Sequence, residues 1–342
     1  MKFIFFTDSQ FHLLTDCGKP DEFYRNDRFR ETGESLNHVF IIARENRATI
    51  IFVGDLFHKR YAVDTVVYNE VFETFAKNQD VKVYIRRGNH DAVTNSFPTE
   101  SKLDILKTLP NGKVTKDLRN DSLSAKAQLT MCAYGDETAE IKDYIEDNDS
   151  TDKVNKLVGH LGVEGSLTGT GSHRLEGAFG YQDLLPDKND FILLGHYHER
   201  QYFQNPNDFY GGFKVQQSFS DEQESNGVLL IDTKTITLEF IPLDTRRFIA
   251  VKGDNVPDVM NDFGNQGHFI RFIGTPERAK VIELDDTEDE SNVQVQMKKE
   301  YTVEKTLDAD VSNYPITITS SYADKYYPEA TDEHLECLKA ML

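Results

Sequence analysis

Residues 191–198 read FILLGHYH, an apolar run closed by glycine and followed at once by His196 and His198. The same shape recurs along the chain. KFIFFTD (2–8) ends at Asp8, ATIIFVGD (48–55) at Asp55, VKVYIRRGNHD (81–91) at Asn89 to Asp91, and KLVGH (156–160) at His160. Runs this short, rich in Ile, Val and Phe, read as buried strands. Open α/β sheets hold their ligands at the carboxyl ends of such strands, so the sheet itself would gather these polar residues. The expected fold class is α/β.

Between the second and third runs, DTVVYNEVFETFAKNQ (64–79) carries Val67, Val71 and Phe75 four apart, with Val66 and Phe72 widening the stripe. It predicts a helix packed on the sheet, with Asp64 as its cap. GGFKVQQSFS (211–220), NGVLLIDT (226–233) and ITLEFIPL (236–243) read as strands separated by turns, which predicts an antiparallel second sheet. Beyond Arg247, FIAVKG, HFIRFIG, AKVIEL and NVQVQMK, interrupted by the acidic DDTEDES, predict a small α+β domain over 250–305. The end of the chain predicts a last helix with Leu335, Leu338 and Leu342 on one face. No internal repeat is present.

At 342 residues the chain exceeds what one core usually serves, and 38% hydrophobic residues with 11% aromatics suffice for a packed interior. The net charge of −20 argues against holding nucleic acid by bulk electrostatics. Residues 1–100 carry 13 Lys+Arg against 15 Asp+Glu, a balance of −2, whereas 251–342 carry 9 against 19, a balance of −10. The front of the molecule can therefore hold local basic patches. Cys17, Cys132 and Cys337 form no Cys-x-x-Cys pair, which speaks for a reduced cytoplasmic protein without disulfides or a thiolate zinc site. No run approaches a membrane span, and the start lacks the cleavage site of a signal peptide.

Collected, the strand ends supply Asp8, Gln10, Asp55, Asn89, His90, His160, His196 and His198. Oxygen and imidazole donors without sulfur favour Mn²⁺ or a similar divalent ion. The set is too large for one ion, whereas two ions sharing Asp55 use it economically. Two ions about 3.5–4 Å apart acidify a water and stabilise an in-line displacement at phosphorus, so the implied chemistry is phosphoester hydrolysis. His90 would act as general acid or charge stabiliser, with Asp91 fixing its tautomer.

The ordered series D-x-Q, GDLFH, GNHD, GH and GHYH resembles the calcineurin-like metallophosphoesterases. GDLFHKR, YGGFKVQQSFSDEQ and EFIPLDTRRF resemble more narrowly the SbcD/Mre nuclease branch. The resemblance covers residues 1–250 by motif and 251–342 by layout. It implies a sandwich of two mixed β-sheets flanked by helices, with a small α+β cap domain and a C-terminal helical segment. The boundaries would be 1–249 for the nuclease domain, 250–305 for a DNA-capping domain and 306–342 for a partner-binding segment. It further implies that Asp8, Gln10 and His198 hold one ion, that Asn89, His160 and His196 hold the other, that Asp55 bridges, and that His58 lies near the scissile phosphate. The implied protein is a Mn²⁺-dependent (or Mg²⁺-dependent) DNA exonuclease/endonuclease subunit in DNA repair and recombination, working on DNA with an SbcC-type coiled-coil ABC ATPase and pairing as a homodimer.

Gln10 departs from the family pattern, since histidine is the natural second ligand and an amide oxygen is a weaker donor. His12, two residues on and on the same face, is an alternative ligand by a slipped register. Arg25, Arg28, Arg30, Lys59, Arg60, Arg86 and Arg87 flank the motifs and are placed for phosphate contact. Two other functions stay open at this level: a metallophosphoesterase for nucleotides or phosphoproteins, and a catalytically weak DNA-end-binding scaffold.

Overall fold

A computed structural model of the chain describes residues 1–14, 17–20, 25–115, 117–124, 127–147, 153–167, 179–211, 215–222, 226–252, 267–274 and 293–297. By internal contacts it divides into Met1–Gln296 and Met297–Leu342, and the second unit, apart from Met297, lies outside the described residues. The helix expected near the C-terminus falls there.

The first sheet grows from three crossovers. Strands β1 (Lys2–Phe6), β2 (Thr49–Val53), β3 (Val83–Arg86) and β4 (Gly112–Thr115) are parallel neighbours. Helix α1 (Asp27–Asn46) joins β1 to β2, and α2 (Thr65–Lys77) joins β2 to β3. Alternation along each strand sorts the side chains. Ile4, Phe6, Ile50, Phe52, Val83 and Ile85 face the helices, meeting Leu36, Val39 and Phe40 of α1 and Val67, Val71 and Phe75 of α2. The stripe read from the sequence of α2 is thus its buried face. Asp64 sits at the cap position, but its side chain makes no capping hydrogen bond. Helix α1 has a true cap, since the Asn26 side chain accepts from the N–H of Phe29 at 2.7 Å.

The opposite face of the first sheet, with Phe3, Phe5, Ile51 and Val53, packs on Leu129, Met131, Val158, Phe191 and Leu193 of a second sheet. There β6 (Ala127–Cys132), β7 (Val154–His160) and β8 (Phe191–Gly195) run parallel. Flanking them are β5 (Arg119–Ser124) on one side, and β10 (Asp208–Tyr210) with β9 (Gln201–Tyr202) on the other. Ile141 and Ile145 of α3 (Thr138–Asp147) cover the outer face. The result is an α/β fold of two mixed sheets flanked by helices.

β11 (Gly227–Asp232) and β12 (Thr237–Pro242) form an antiparallel hairpin, as their pattern suggested, but β11 pairs with β1 and extends the first sheet. The second sheet is the separate six-stranded one, and residues 215–217 form no strand. Sheet membership depends on a register between β1 and residues more than 200 positions away, which no local pattern encodes.

Beyond the hairpin, β13 (Phe248–Lys252), β14 (Phe269–Gly274) and β15 (Val293–Met297) make a three-stranded sheet. The acidic loop and the run 279–284 lie outside the described residues. Among the described residues, no helix is long and apolar enough to cross a membrane.

Candidate metal centre

Five strand ends converge at one edge of the two sheets. β1 delivers Asp8 and Gln10, β2 delivers Asp55, β3 delivers Asn89 and His90, β7 ends on His160, and β8 leads into His196 and His198. Ligand-type atoms of Asp8, Asp55 and His160, all buried, lie within 4.8 Å of one another. Around them, Asn89 Oδ1 is 3.1 Å from His160 Nε2 and 3.2 Å from His196 Nδ1. On the other side His198 Nε2 stands 3.9 Å from Asp8 Oδ1 and 2.7 Å from Gln10 Nε2. The seven metal-ligand candidates therefore form one connected cluster, with Asp8 and Asp55 at its centre.

The backbone carries strain to achieve this. Asp8, Gln10, Asp55 and His196 all adopt positive φ, at 54°, 46°, 55° and 106°, where a non-glycine residue costs about 1–3 kcal/mol. Two glycines in the motifs answer to packing. A Cβ on Gly54, which has φ +88°, would collide with His160 Nδ1, and one on Gly88 would collide with Asp55 Oδ1.

Burial and mutual charge shift Asp8, Asp55, His160 and His196 in the cluster. Burial works against every charge in it, yet His160 brings the Asp55 carboxyl down to about 2. The His160 ring, despite complete burial, is raised to about 9 by Asp55 and Asp8. Asp8 itself is raised, chiefly by burial. His196 is pushed down to about 3, first by burial and then by His160, so its ring is neutral and able to ligate. His160 Nδ1 donates to the carbonyl of Val53 at 3.0 Å, which leaves Nε2 turned to the carboxylates. Two buried carboxylates sharing a single imidazolium carry a surplus of negative charge and unsaturated oxygen donors. That chemistry fits divalent cations.

Of the catalytic candidates, His90 stands beside the cluster, with its backbone N–H on Asp55 Oδ1 at 2.8 Å and Nε2 3.9 Å from Asp55 Oδ2. Asp91 has a different job from the one expected, because it makes no hydrogen bond to the His90 ring. Its carboxylate accepts the backbone N–H groups of Asp55 (2.8 Å), Leu56 (3.0 Å), Phe57 (3.3 Å) and Gly88 (3.0 Å), stitching two ligand loops together. Burial and the neighbouring Asp55 raise it to about 6. His90 Nδ1 instead contacts the carbonyl of His58, which sets its tautomer. His58 Nδ1 is 3.1 Å from Gln10 Oε1, and its ring stacks on His12 at 4.3 Å. His12 points Nδ1 back at the Gln10 carbonyl, 2.8 Å away, so it packs beside Gln10 in this arrangement and does not replace it.

The basic set is smaller than the sequence suggested. Arg28, Arg86 and Arg87 are 1%, 0% and 0% exposed and cannot meet a ligand backbone. Arg28 lies over the rings of Phe248 and Phe269, Arg87 over Phe97, and Arg86 donates to the Asp117 carbonyl. Arg25 is paired with Glu70 at 2.6 Å. Arg30 and Lys59 remain at the surface, and Arg60 is half-buried. Arg60 Nε donates to the carbonyl of Asn89 at 2.9 Å, tying the loop after β2 to the loop after β3. Tyr134, after β6, was not singled out from the sequence. Its ring lies against His196, centroids 5.1 Å apart. The signal was an apolar run, AQLTMCAYG, closing on a glycine as the ligand-bearing runs do.

A family model described as calcineurin-like phosphoesterase matches residues 1–200. The SbcD subunit of the nuclease SbcCD from Staphylococcus epidermidis is 23% identical over 261 residues, covering 67% of this chain and 68% of that protein. Its counterpart from Staphylococcus saprophyticus is 28% identical over 123 residues, 35% of this chain and 33% of that protein. Among solved structures, an archaeal phosphodiesterase is 13% identical, covering 71% of this chain and 100% of that chain, with a TM-score of 0.37. A dimetal phosphatase from Danio rerio is 11% identical, covering 67% and 91%, with a TM-score of 0.43.

Proposed function

Because the chain belongs to the calcineurin-like phosphoesterases, we propose that it is a DNA nuclease subunit that hydrolyses phosphodiester bonds with two divalent cations, Mn²⁺ or Mg²⁺. The observation that carries the reading is the buried Asp8, Asp55 and His160 triad, surrounded by Gln10, Asn89, His196 and His198 and flanked by His90. On this reading Asp8, Gln10 and His198 hold one cation, Asn89, His160 and His196 hold the other, and Asp55 bridges. Bound cations would supply acidity to a water and positive charge to the phosphoryl oxygens.

The chain's own residues supply orientation and proton handling. With Nδ1 committed to the His58 carbonyl, His90 presents Nε2 toward the cluster, where it can donate to a departing oxygen or stabilise charge building on the phosphoryl group. Asp91 holds the loops of Asp55 and Asn89 in register through four backbone amides, and Arg60 adds a fifth tie through the Asn89 carbonyl. Such crosslinks keep reacting groups within the narrow tolerance that catalysis needs. His58, linked to Gln10, would stand near the scissile phosphate.

DNA as substrate is favoured by the likeness to the SbcD subunit of the SbcCD nuclease. Exposed Arg30 and Lys59 suit the local, non-bulk attraction that an acidic protein needs to hold a phosphate backbone. By the same likeness, residues 250–305 would cap DNA, 306–342 would dock an SbcC-type ATPase, and the protein would act as a homodimer in DNA end processing. The deciding experiment titrates Mn²⁺ and Mg²⁺ over end-labelled single- and double-stranded DNA, with and without such an ATPase. Metal-dependent cleavage is expected; metal binding without cleavage of any phosphoester would overturn the enzyme reading.

A further inference from the structure

The ring of Tyr134 packs on two imidazoles of the cluster. Its centroid lies 5.1 Å from that of His196, tilted at 43°, and 6.2 Å from that of His160, edge-on at 69°. The backbone is tied as well, the Tyr134 N–H donating to the Arg87 carbonyl at 3.4 Å, just ahead of Gly88 and Asn89. A phenol half-buried on the face of a polar cluster ordinarily finds a protein partner for its hydroxyl. This hydroxyl has none among the described residues, and it is not sealed from solvent either. Tyr210 makes the contrast: its hydroxyl is fully engaged, donating to the Leu161 carbonyl at 2.5 Å and accepting from the Val163 N–H at 2.9 Å. One tyrosine is spent on the fold, and the other holds its donor beside His160 and His196.

We propose that Tyr134 is a further catalytic residue, whose hydroxyl donates a hydrogen bond to a non-bridging oxygen of the phosphate under attack. The inference rests on the phosphoesterase reading above. Ordinary phenols keep their proton to about pH 10, so the group is a donor at neutral pH. Negative charge gathers on the non-bridging oxygens as the phosphoryl group is transferred, and a donor already fixed in place stabilises that charge without reorganising. No proton is transferred and no bond is made or broken at the tyrosine. The rigid seat on two imidazoles supplies the preorganisation. The free hydroxyl supplies the interaction, and it strengthens only as the transition state forms, so it acts on kcat more than on KM.

The test compares wild type, Tyr134→Phe and Tyr134→Leu on bis(p-nitrophenyl) phosphate with Mn²⁺, together with melting temperature and Mn²⁺ affinity. Phenylalanine keeps the ring against His196 and His160 and removes only the oxygen. Its kcat should fall about tenfold to a hundredfold, with KM, melting temperature and Mn²⁺ affinity unchanged, less than the roughly 10²- to 10³-fold of a fully buried oxyanion donor because this hydroxyl is not sealed from solvent. Leucine should lose melting temperature and Mn²⁺ affinity in addition. A Tyr134→Phe enzyme within twofold of wild type in kcat overturns the inference and leaves the phosphoesterase reading intact. A wild type that binds Mn²⁺ yet hydrolyses neither this diester nor DNA overturns both.

Discussion

The carboxamide of Gln10 lies with its nitrogen 2.7 Å from Nε2 of His198 and its oxygen 3.1 Å from Nδ1 of His58. The glutamine therefore stands between a ligand candidate and a catalytic candidate. An amide there is neutral, can offer its oxygen to a cation after a rotation, and links the two imidazoles meanwhile. Gln10→His should tighten one of two Mn²⁺ sites by about tenfold or more, since imidazole is the stronger donor and losing even a partner that only orients a ligand is worth about 10- to 100-fold. Calorimetry should record one affinity rising while the other stays put. Two unmoved affinities would remove Gln10 from the ligand set.

Asp91 is the staple of the site. Each of its oxygens accepts from two buried backbone amides, Oδ1 from Leu56 and Phe57 and Oδ2 from Asp55 and Gly88. Asp91→Asn turns one oxygen into a donor facing two donors, whichever way the amide is flipped. The loss should come to about 2–4 kcal/mol of stability, tempered by relief of the repulsion from Asp55. Urea unfolding and Mn²⁺ titration should fall together. Unchanged unfolding would mean that the two loops are held by other contacts.

Much of the site was legible because its signal is local: a buried run, a glycine, then a ligand-type side chain. The same logic, applied to AQLTMCAYG, would have found Tyr134, but a tyrosine carries no metal-ligand signature. Helix α1 went unread although Asn26 and the Leu36, Val39, Phe40, Ala43 stripe mark it. The arginines misled for a different reason. Arg28 and Arg87 lie over aromatic rings that reach them only in the folded chain, and Arg86 finds its carbonyl partner at Asp117 in the same way. Charge in a sequence reads as surface until packing supplies the exception. Asp91 likewise sits next to His90 in sequence, yet its partners come from two loops that only the sheet brings together.

Lys156, at the opposite end of β7 from His160, offers a test of the fold free of the metal chemistry. Its side chain is buried, with Nζ 3.2 Å from the Gln128 carbonyl and 3.1 Å from the Val154 carbonyl. Burial pulls its pKa from 10.5 down to about 8. Because the folded value lies below the unfolded one, the penalty is complete below pH 8 and vanishes as pH rises past 10.5. The difference corresponds to about 3 kcal/mol. Lys156→Met should therefore be more stable than wild type in urea at pH 7, by up to that amount, and the advantage should shrink by pH 10. A pH-independent difference would mean that the ammonium is solvated in the folded protein.

Asn89 and His90 are adjacent in sequence but should fail in different ways. Asn89 Oδ1 sits 3.1 Å from Nε2 of His160 and 3.2 Å from Nδ1 of His196, which places it within reach of a cation held by those rings. Asn89→Ala should lower Mn²⁺ occupancy, and activity should follow occupancy as metal is added back. His90 keeps its ring outside that trio, anchored through Nδ1 to the His58 carbonyl, with Nε2 at 3.9 Å from Asp55. His90→Ala should bind Mn²⁺ as wild type does while hydrolysis drops by about 10²- to 10⁴-fold, the range for a positioned acid or base. Excess metal should not restore it. The two variants measured side by side, by metal analysis and by turnover, separate binding from chemistry. An active His90→Ala protein would take the acid–base role away from His90, and a metal-replete, inactive Asn89→Ala protein would take the ligand role away from Asn89.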